Sequence, residues 1–208
     1  MMSVVLLGLI ASVITQYVAS GELFEKLTFK KVQKKIEKLK NHTIVCGYGR
    51  NGKQAIIKLK KYNKPVVIIE SDERLISEIE NGNLLLINGD ATNDEILEKA
   101  GIKEASNLIT TWPSDADNLL VVLSARQLNT ELTIVSRASD DPSDSKLRIA
   151  GANNVIMPDK LGGDHMASLL VTPDIVEFVD MLAIDSDNAT HLDDLIVNKL
   201  PTEFYQSL

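Results

Sequence analysis

The chain has 208 residues with 44% apolar and 25% charged side chains, which bounds it to one globular core with appendages. Its single cysteine, Cys46, excludes an intrachain disulfide, and its Cys and His residues lack zinc-site spacing. Residues 1–40 carry seven Lys against three Glu, a net +4, whereas the remainder carries fifteen basic against twenty-six acidic residues, a net −11. The acidic remainder argues against nucleic acid as a partner.

Residues 1–21 contain no charged side chain and match the length of one membrane-spanning helix. A signal peptide would need a basic stretch before the apolar run, and none is present. The alternative is a buried helix of a soluble protein, which Ser12, Thr15 and Gln16 would suit better. Because lysines follow directly, we expect the end of a transmembrane helix in the cell membrane, with the rest of the chain on the cytoplasmic side.

Residues 22–41 form a basic linker. Apolar residues recur on one helical face between Phe29 and Lys40, at Phe29, Val32, Ile36 and Leu39. This predicted helix lies on the body of the protein, is attracted to anionic lipid, or is a solvated connection.

The next segment, Thr43 to Glu70, is a strand, a glycine turn, a helix and a second strand. The turn has the pattern GxGxxG, in which the first glycine permits the turn, the second admits a phosphate and the third allows close packing. The following helix N-terminus offers free N–H groups to an anion. Glu70 ends the second strand, where a carboxylate accepts hydrogen bonds from an unphosphorylated ribose. The segment therefore predicts a nucleotide site.

The alternation of helices and strands then continues. Further helices are predicted from Asp72 to Asn81 with Asp72 as the N-cap, and over 93–100, 115–128 and 142–150. Further strands are predicted over 84–88, 108–111, 132–136 and 155–157. Six such β/α units predict a Rossmann-like, doubly wound parallel sheet with helices on both faces, spanning residues 42–158.

Ligands bind such sheets beyond the carboxyl ends of the strands. The cofactor-binding residues predicted there are Gly47, Tyr48, Gly49, Arg50, Asn51, Gly52, Glu70, Asp90, Ala91, Thr92, Asp115 and Arg137. Arg50 lies within the glycine turn and is suited to a phosphate, since its guanidinium can contact two oxygens. Asp90 reaches a ribose or a base amine, or else caps a helix. Arg137 contacts the ligand or forms a salt bridge inside the domain.

No catalytic residues accompany this site. His42, His165 and His191 lie away from the strand ends, and none adjoins a Ser or Cys in a nucleophile motif. Too little chain follows residue 158 for a substrate domain. We expect a protein that binds its ligand without transforming it, and not an enzyme.

Two apolar helices are predicted over residues 159–183, the first preceded by the glycines at 162–163 and the second beginning at Pro173. They have no place in a closed six-stranded unit, so we expect a second subunit to cover them. Residues 184–208 begin a further pattern that the chain does not complete. The acids there, with His191, could gather a divalent cation, although a solvated acidic surface is the simpler interpretation.

The chain resembles the junction between the inner pore helix and the cytoplasmic RCK domain, of the TrkA-N type, in prokaryotic potassium channels. The resemblance rests on KKVQKKIEKLKNHTIVCGYGRNGKQ from Lys30, GDAT at 89–92, PSDADNL at 113–119, KLRIAGANNVIMP at 146–158 and GGxxMAxLL at 162–170. It implies a regulatory Rossmann-like lobe, crossover helices used in dimerisation, and the start of a C-terminal lobe.

The same resemblance implies NAD(H) or an adenine nucleotide (AMP, ADP or ATP) as regulatory ligand, with Ca²⁺ possible. It implies paired domains in a tetrameric gating ring below a K⁺-conducting pore. Two alternatives remain open: a regulatory subunit of a Trk/Ktr-like potassium transporter, and a small NAD-dependent oxidoreductase.

Overall fold

The computed structural model describes residues 30–82 and 84–172. Its strands are β1 (Thr43–Cys46), β2 (Val66–Glu70), β3 (Leu85–Asn88), β4 (Asn107–Thr110), β5 (Thr133–Arg137) and β6 (Asn154–Ile156). Its helices are α1 (Arg50–Lys61), α2 (Glu73–Asn81), α3 (Asp94–Lys99), α4 (Asp115–Leu128), α5 (Asp141–Ile149) and α6 (Pro158–Val171), with a short 3₁₀ helix at Ile102–Glu104. Residues 30–36 are also helical.

The six strands form one sheet in the order β3-β2-β1-β4-β5-β6, and every pair is parallel. The chain reverses its direction of travel across the sheet between β1 and β4, so a crevice opens at their carboxyl ends. The predicted Rossmann-like, doubly wound sheet is confirmed. Strand limits differ from the predicted ones by one residue, as at β6, which covers Asn154–Ile156.

Alternate residues of the strands contribute to two apolar layers, one on each face of the sheet. Ile44 of β1 packs with α3, α4 and α5 residues such as Leu97 and Val121, while its neighbour Val45 packs with Ile56 of α1. Both faces of the central strand are fully buried. This explains why the strand sequences are continuous apolar runs and not alternating ones.

The basic linker lies on the body of the protein. Ile36 is only 2% exposed, and Val32 and Leu39 pack against the larger apolar layer. Gln33 Nε2 donates to Lys99 O over 3.1 Å, and Asn41 N donates to Glu104 O over 2.8 Å. Of the three interpretations of the predicted helix, packing on the body is the one observed.

One helix limit was wrong. The glycines at 162–163 lie inside α6, which begins at Pro158. Proline is favoured in the first turn of a helix, because its missing N–H would be unpaired there anyway, and each interior glycine costs only about 1 kcal/mol.

The chain divides into two compact units, Met1–Asp159 and Lys160–Leu208. Within the described part of the chain, no helix is long and apolar enough to cross a membrane. The membrane segment predicted at 1–21, the helix from Pro173 and the acidic group at 185–194 lie outside the described residues. The division into lobes stays a prediction.

Candidate nucleotide site

The glycine turn joins the end of β1 to the start of α1. Gly47 has a φ of +98°, a conformation that side chains disfavour. A Cβ on Gly52 would lie 2.0 Å from Gly47 O, so α1 packs directly on the turn. A Cβ on Gly49 would meet nothing within 4 Å. The first and third glycines are thus required by the fold, and the second leaves room for a ligand.

The N-terminus of α1 is left open to an anion. Its N-cap is Gly49, which supplies no side-chain hydrogen bond, and its first turn contains no acidic residue. Every other helix whose limits the structure describes, α2 to α6, has an Asp or Glu in its first turn. The guanidinium of Arg50 is exposed and forms no hydrogen bond or ion pair with described residues. The free N–H groups, the helix dipole and Arg50 therefore all favour a phosphate here.

Glu70 lies at the end of the neighbouring strand and is only 4% exposed. Its Oε2 accepts a hydrogen bond from Tyr48 N over 2.7 Å, and its Oε1 accepts from Ser71 N and Asp72 N over 2.7 and 2.9 Å. A carboxylate has about four acceptor positions, so one remains for a ribose hydroxyl. Glu70 therefore fastens the glycine turn to β2, a structural role that its sequence position did not reveal.

Tyr48 and Asn51 are the remaining predicted members of the turn. Tyr48 is half-buried, and Lys53 Nζ lies 5.1 Å from its ring centroid. Lys53 also forms a 2.6 Å salt bridge with Glu78 of α2. Asn51 is exposed in the first turn of α1. This end of α1 is thus held by one ring contact and one exposed ion pair.

Asp90 follows β3 and closes its own turn. Its Oδ1 accepts hydrogen bonds from Thr92 N over 2.9 Å and from Thr92 Oγ1 over 2.8 Å. The N-cap of α3 is Asn93, which accepts from Glu95 N, so the helix-cap alternative for Asp90 is wrong. Ala91 is fully buried beneath the turn.

Polar side chains beyond β4 and β5 bond to one another. Asn118 is fully buried: its Oδ1 accepts from Thr110 Oγ1 and Trp112 N, and its Nδ2 donates to Trp112 O and Arg137 O. Arg137 donates to Trp112 O and Pro113 O over 3.1 and 3.2 Å, and lies 3.4 Å from Asp159 Oδ2.

Asp115 belongs to the same network, since it accepts hydrogen bonds from the backbone N and the Oγ of Ser139. The salt bridge weighed for Arg137 is present, and Asp115 joins two turns. The sequence prediction missed Asn118, whose signal was a polar residue where the α4 pattern turns toward the core.

Of the described histidines, His42 lies away from this crevice. His42 is fully buried before β1, at the opposite end of the sheet, with Nε2 2.9 Å from Ala100 O. His165 is exposed on α6. Among the described residues, no group of acids, His and Cys could hold a metal ion. Cys46 is fully buried and burial raises the pKa of its thiol, so this residue is a small core side chain.

One ion pair beside the site lowers the pKa of a carboxyl group. The Arg74 guanidinium forms a 2.7 Å salt bridge with Asp72. This salt bridge, together with the hydrogen bond from the backbone N–H of Arg74, lowers the pKa of Asp72 to about 2. Asp72 also accepts from Arg74 N, as the predicted N-cap residue should.

Three kinds of comparison place the chain among known proteins. The model of the TrkA-N domain matches residues 43–158. Potassium channel protein 1 of Methanocaldococcus jannaschii is 41% identical over 177 residues, which is 84% of this chain and 53% of that protein. The chain thus spans about half the length of this curated relative.

Two solved structures are similar. The TrkA-N domain of the Escherichia coli inner membrane protein YbaL superimposes with a TM-score of 0.61 at 32% identity, covering 64% of this chain and 98% of that one. GsuK bound to ADP superimposes with a TM-score of 0.56 at 27% identity, covering 68% of this chain and 38% of that one.

Proposed function

The chain belongs to the TrkA-N domain family, and we propose that it is the ligand-sensing cytoplasmic gating domain of a potassium channel. One observation carries the nucleotide part of this proposal. The α1 N-terminus is uncapped and free of acid, and the next strand end supplies the Glu70 carboxylate. The potassium channel part is supported by the relative from Methanocaldococcus jannaschii.

The ligand we propose is an adenine nucleotide or NAD(H). The phosphate lies on the glycine turn with Arg50, and the remaining acceptor position of Glu70 takes a ribose hydroxyl. A 2′-phosphate would be repelled by that carboxylate. ADP is supported by its presence in GsuK, a structure of the same fold at 27% identity. Regulation by Ca²⁺ is a further proposal that follows from the family resemblance.

The ligand signal leaves the domain through the linker. The turn at Asp90 leads directly into α3. Lys99 O at the end of α3 accepts a hydrogen bond from Gln33 of the linker, and Ala100 O lies 2.9 Å from Nε2 of His42, which directly follows the linker. Movement of α3 upon ligand binding would displace residues 30–41 and, through them, the proposed membrane helix. A coupling of about 1–3 kcal/mol per site, repeated around a ring, is enough to shift a two-state gate.

The assembly we propose is a ring of paired domains. The outer surface of α4 presents Leu120 and Leu123, which are 51% and 48% exposed, and the neighbouring helix α5 ends with Ile149 at 87%. Single exposed apolar residues are ordinary, but a group of them on adjacent helices is typical of an interface. These residues support contact with a second copy of the chain.

Calorimetric titration with ADP, ATP, AMP and NAD(H) tests the nucleotide site. We expect at least one of them to bind, and absence of binding by all four would refute the sensing role. Substitution of Glu70 by Gln should weaken binding of the ligand more than binding of its 2′-deoxy analogue. Equal losses for the two ligands would show that Glu70 only holds the turn.

A further inference from the structure

The two ends of the sheet differ in charge. Because all strands are parallel, the helices α1 to α5 begin at the carboxyl edge and end at the amino edge of the sheet. Acids occupy the first turns of α2 to α5, whereas basic residues occupy the last turns of α1, α3, α4 and α5. Each placement stabilises a helix dipole. Together they place acidic residues toward the carboxyl edge and basic residues toward the amino edge.

The linker adds its lysines to the basic end. Its apolar face is already used, since Ile36 is buried and Gln33 bonds to the last turn of α3. The lysines in the described part of the linker, residues 30–41, are all exposed. The linker cannot insert its apolar face into a bilayer while it is packed in this way, so an attraction to lipid has to be electrostatic.

Lysines from the end of α1 lie at the same edge. Thr43 N donates to Pro65 O over 2.9 Å, which places Lys64 beside the start of β1, close to where the linker enters the sheet. Six exposed lysines define what we call the basic edge: Lys34, Lys35, Lys38, Lys40, Lys60 and Lys64. None of the six has an ion-pair partner among the described residues. Tyr62, half exposed next to them, is of a residue type enriched at membrane surfaces.

We propose that the basic edge rests on the surface of an anionic lipid bilayer and binds its phosphate headgroups. A flat bilayer touches one end of the molecule, whereas nucleic acid would also meet the acidic surfaces. The central strands β1 and β2 have four and five residues, so the two edges are roughly 15 Å apart. That distance exceeds the Debye length of about 8 Å at physiological salt, which screens the acids from the bilayer.

Binding of the full chain to vesicles tests this proposal. Residues 1–21 are expected to give a basal affinity for any bilayer, so the measured quantity is the ratio between phosphatidylcholine vesicles and vesicles containing about one third phosphatidylglycerol. Each lysine near an anionic surface strengthens binding about fivefold. We expect the double substitution Lys38→Gln, Lys40→Gln to lower the ratio by about tenfold or more at 0.1 M salt. The matched control Lys53→Gln, Arg74→Gln removes two charges from the carboxyl edge and should leave the ratio unchanged.

Acetylation of lysines in the same samples gives a second readout that needs no substitution. Phosphatidylglycerol should slow the modification of Lys38, Lys40 and Lys64, but not of Lys53, and 0.5 M salt should remove the difference. Equal protection at both edges, or none, would overturn the proposal. So would binding of a single-stranded oligonucleotide that depends on Lys38 and Lys40 while the vesicle ratio does not. Nucleotide titration is independent of these outcomes, so the lipid surface and the sensing role can fail separately.

Discussion

The two halves of the carboxyl edge carry similar residues and use them differently. At β1 and β2, the N–H groups of the first turn of α1 have no side-chain cap, the Arg50 side chain has no partner among the described residues, and Glu70 keeps one acceptor position. At β4 and β5, Asn118, Arg137 and Asp115 bond to each other's turns. The first half is available to a ligand, whereas the second half holds the framework around it.

The difference has an energetic reason. A buried polar group without a partner costs about 1–3 kcal/mol, so unpaired groups are favoured where water or a ligand reaches them. Arg137 Nε and Trp112 Nε1 are exceptions, since they are buried without a partner among the described residues. The α1 N-terminus is exposed, whereas Asn118 is fully buried. Substitutions in the open half should therefore act on binding, and substitutions in the bonded half should act on folding.

The largest effect is expected from Gly52→Ala, which would place a Cβ 2.0 Å from the backbone oxygen of Gly47. Because the contact is with backbone, relief requires α1 to move away from the turn. We expect a loss of about 3 kcal/mol or more in the free energy of unfolding, measured in urea, together with loss of nucleotide binding.

Gly49→Ala is the matched control, since its Cβ meets nothing and its φ of −70° suits alanine. It should leave unfolding unchanged while a phosphate, which needs that space, binds at least about tenfold more weakly. A destabilisation equal to that of Gly52→Ala would contradict the division of roles between the two glycines.

Asn118→Ala should be the next most severe change. It removes a buried amide that pairs with Thr110, Trp112 and Arg137, and it leaves their polar groups without partners. We expect a loss of about 2–3 kcal/mol in the free energy of unfolding. The helix-cap substitution Asn93→Ala, at an exposed position, should cost about 1 kcal/mol. If Asn118→Ala costs no more than Asn93→Ala, the bonded half is not a framework.

The sequence predicted the fold well because its signals are local. Apolar runs, glycines and capping residues each specify their own element, and parallel β/α units then leave few possible topologies. The glycine turn was equally predictable, since the tightest contact, between Gly52 and Gly47 O, lies within the turn itself. The predicted helix limits differ from the observed ones where the N-cap lies one residue from its expected position, as with Asp140 before α5.

The partners of site residues could not be predicted, because they depend on distant segments. Asp115 bonds to Ser139 and Arg137 to Trp112, contacts that form only once β4 and β5 pair. Glu70 has the residue type and spacing of a ribose ligand, yet it also accepts a hydrogen bond from Tyr48 N of the glycine turn, beside those from its neighbours Ser71 and Asp72. The residue type determines which hydrogen bonds a side chain can form, and the contacts in the folded chain determine how many of these positions remain available to a ligand.

The two arginines of the crevice give a direct test of this distinction. Arg50→Gln removes a charge with no partner among the described residues, so we expect unchanged unfolding and about 10- to 100-fold weaker nucleotide binding, measured by calorimetry. Arg137→Gln breaks bonds to Trp112 and Pro113 carbonyls and should lower the free energy of unfolding by about 1–2 kcal/mol. The reverse pattern would place the phosphate at β5 instead of β1.

The smallest effect on stability concerns Asp72, whose exposed ion pair lies two residues after Glu70. Its pKa is lowered from 3.8 to about 2 by hydrogen bonds and charge from Arg74. A depressed pKa contributes stability above the unfolded value, and this contribution is lost as the pH falls from about 4 to about 2. The difference in unfolding free energy between the wild-type chain and Asp72→Asn should therefore be small and constant at neutral pH. It should shrink across that acidic window, and 0.5 M salt should reduce it because the pair is exposed to solvent. Persistence of the difference below pH 2 would mean that Asp72 acts as an uncharged helix cap, and that the ion pair contributes nothing.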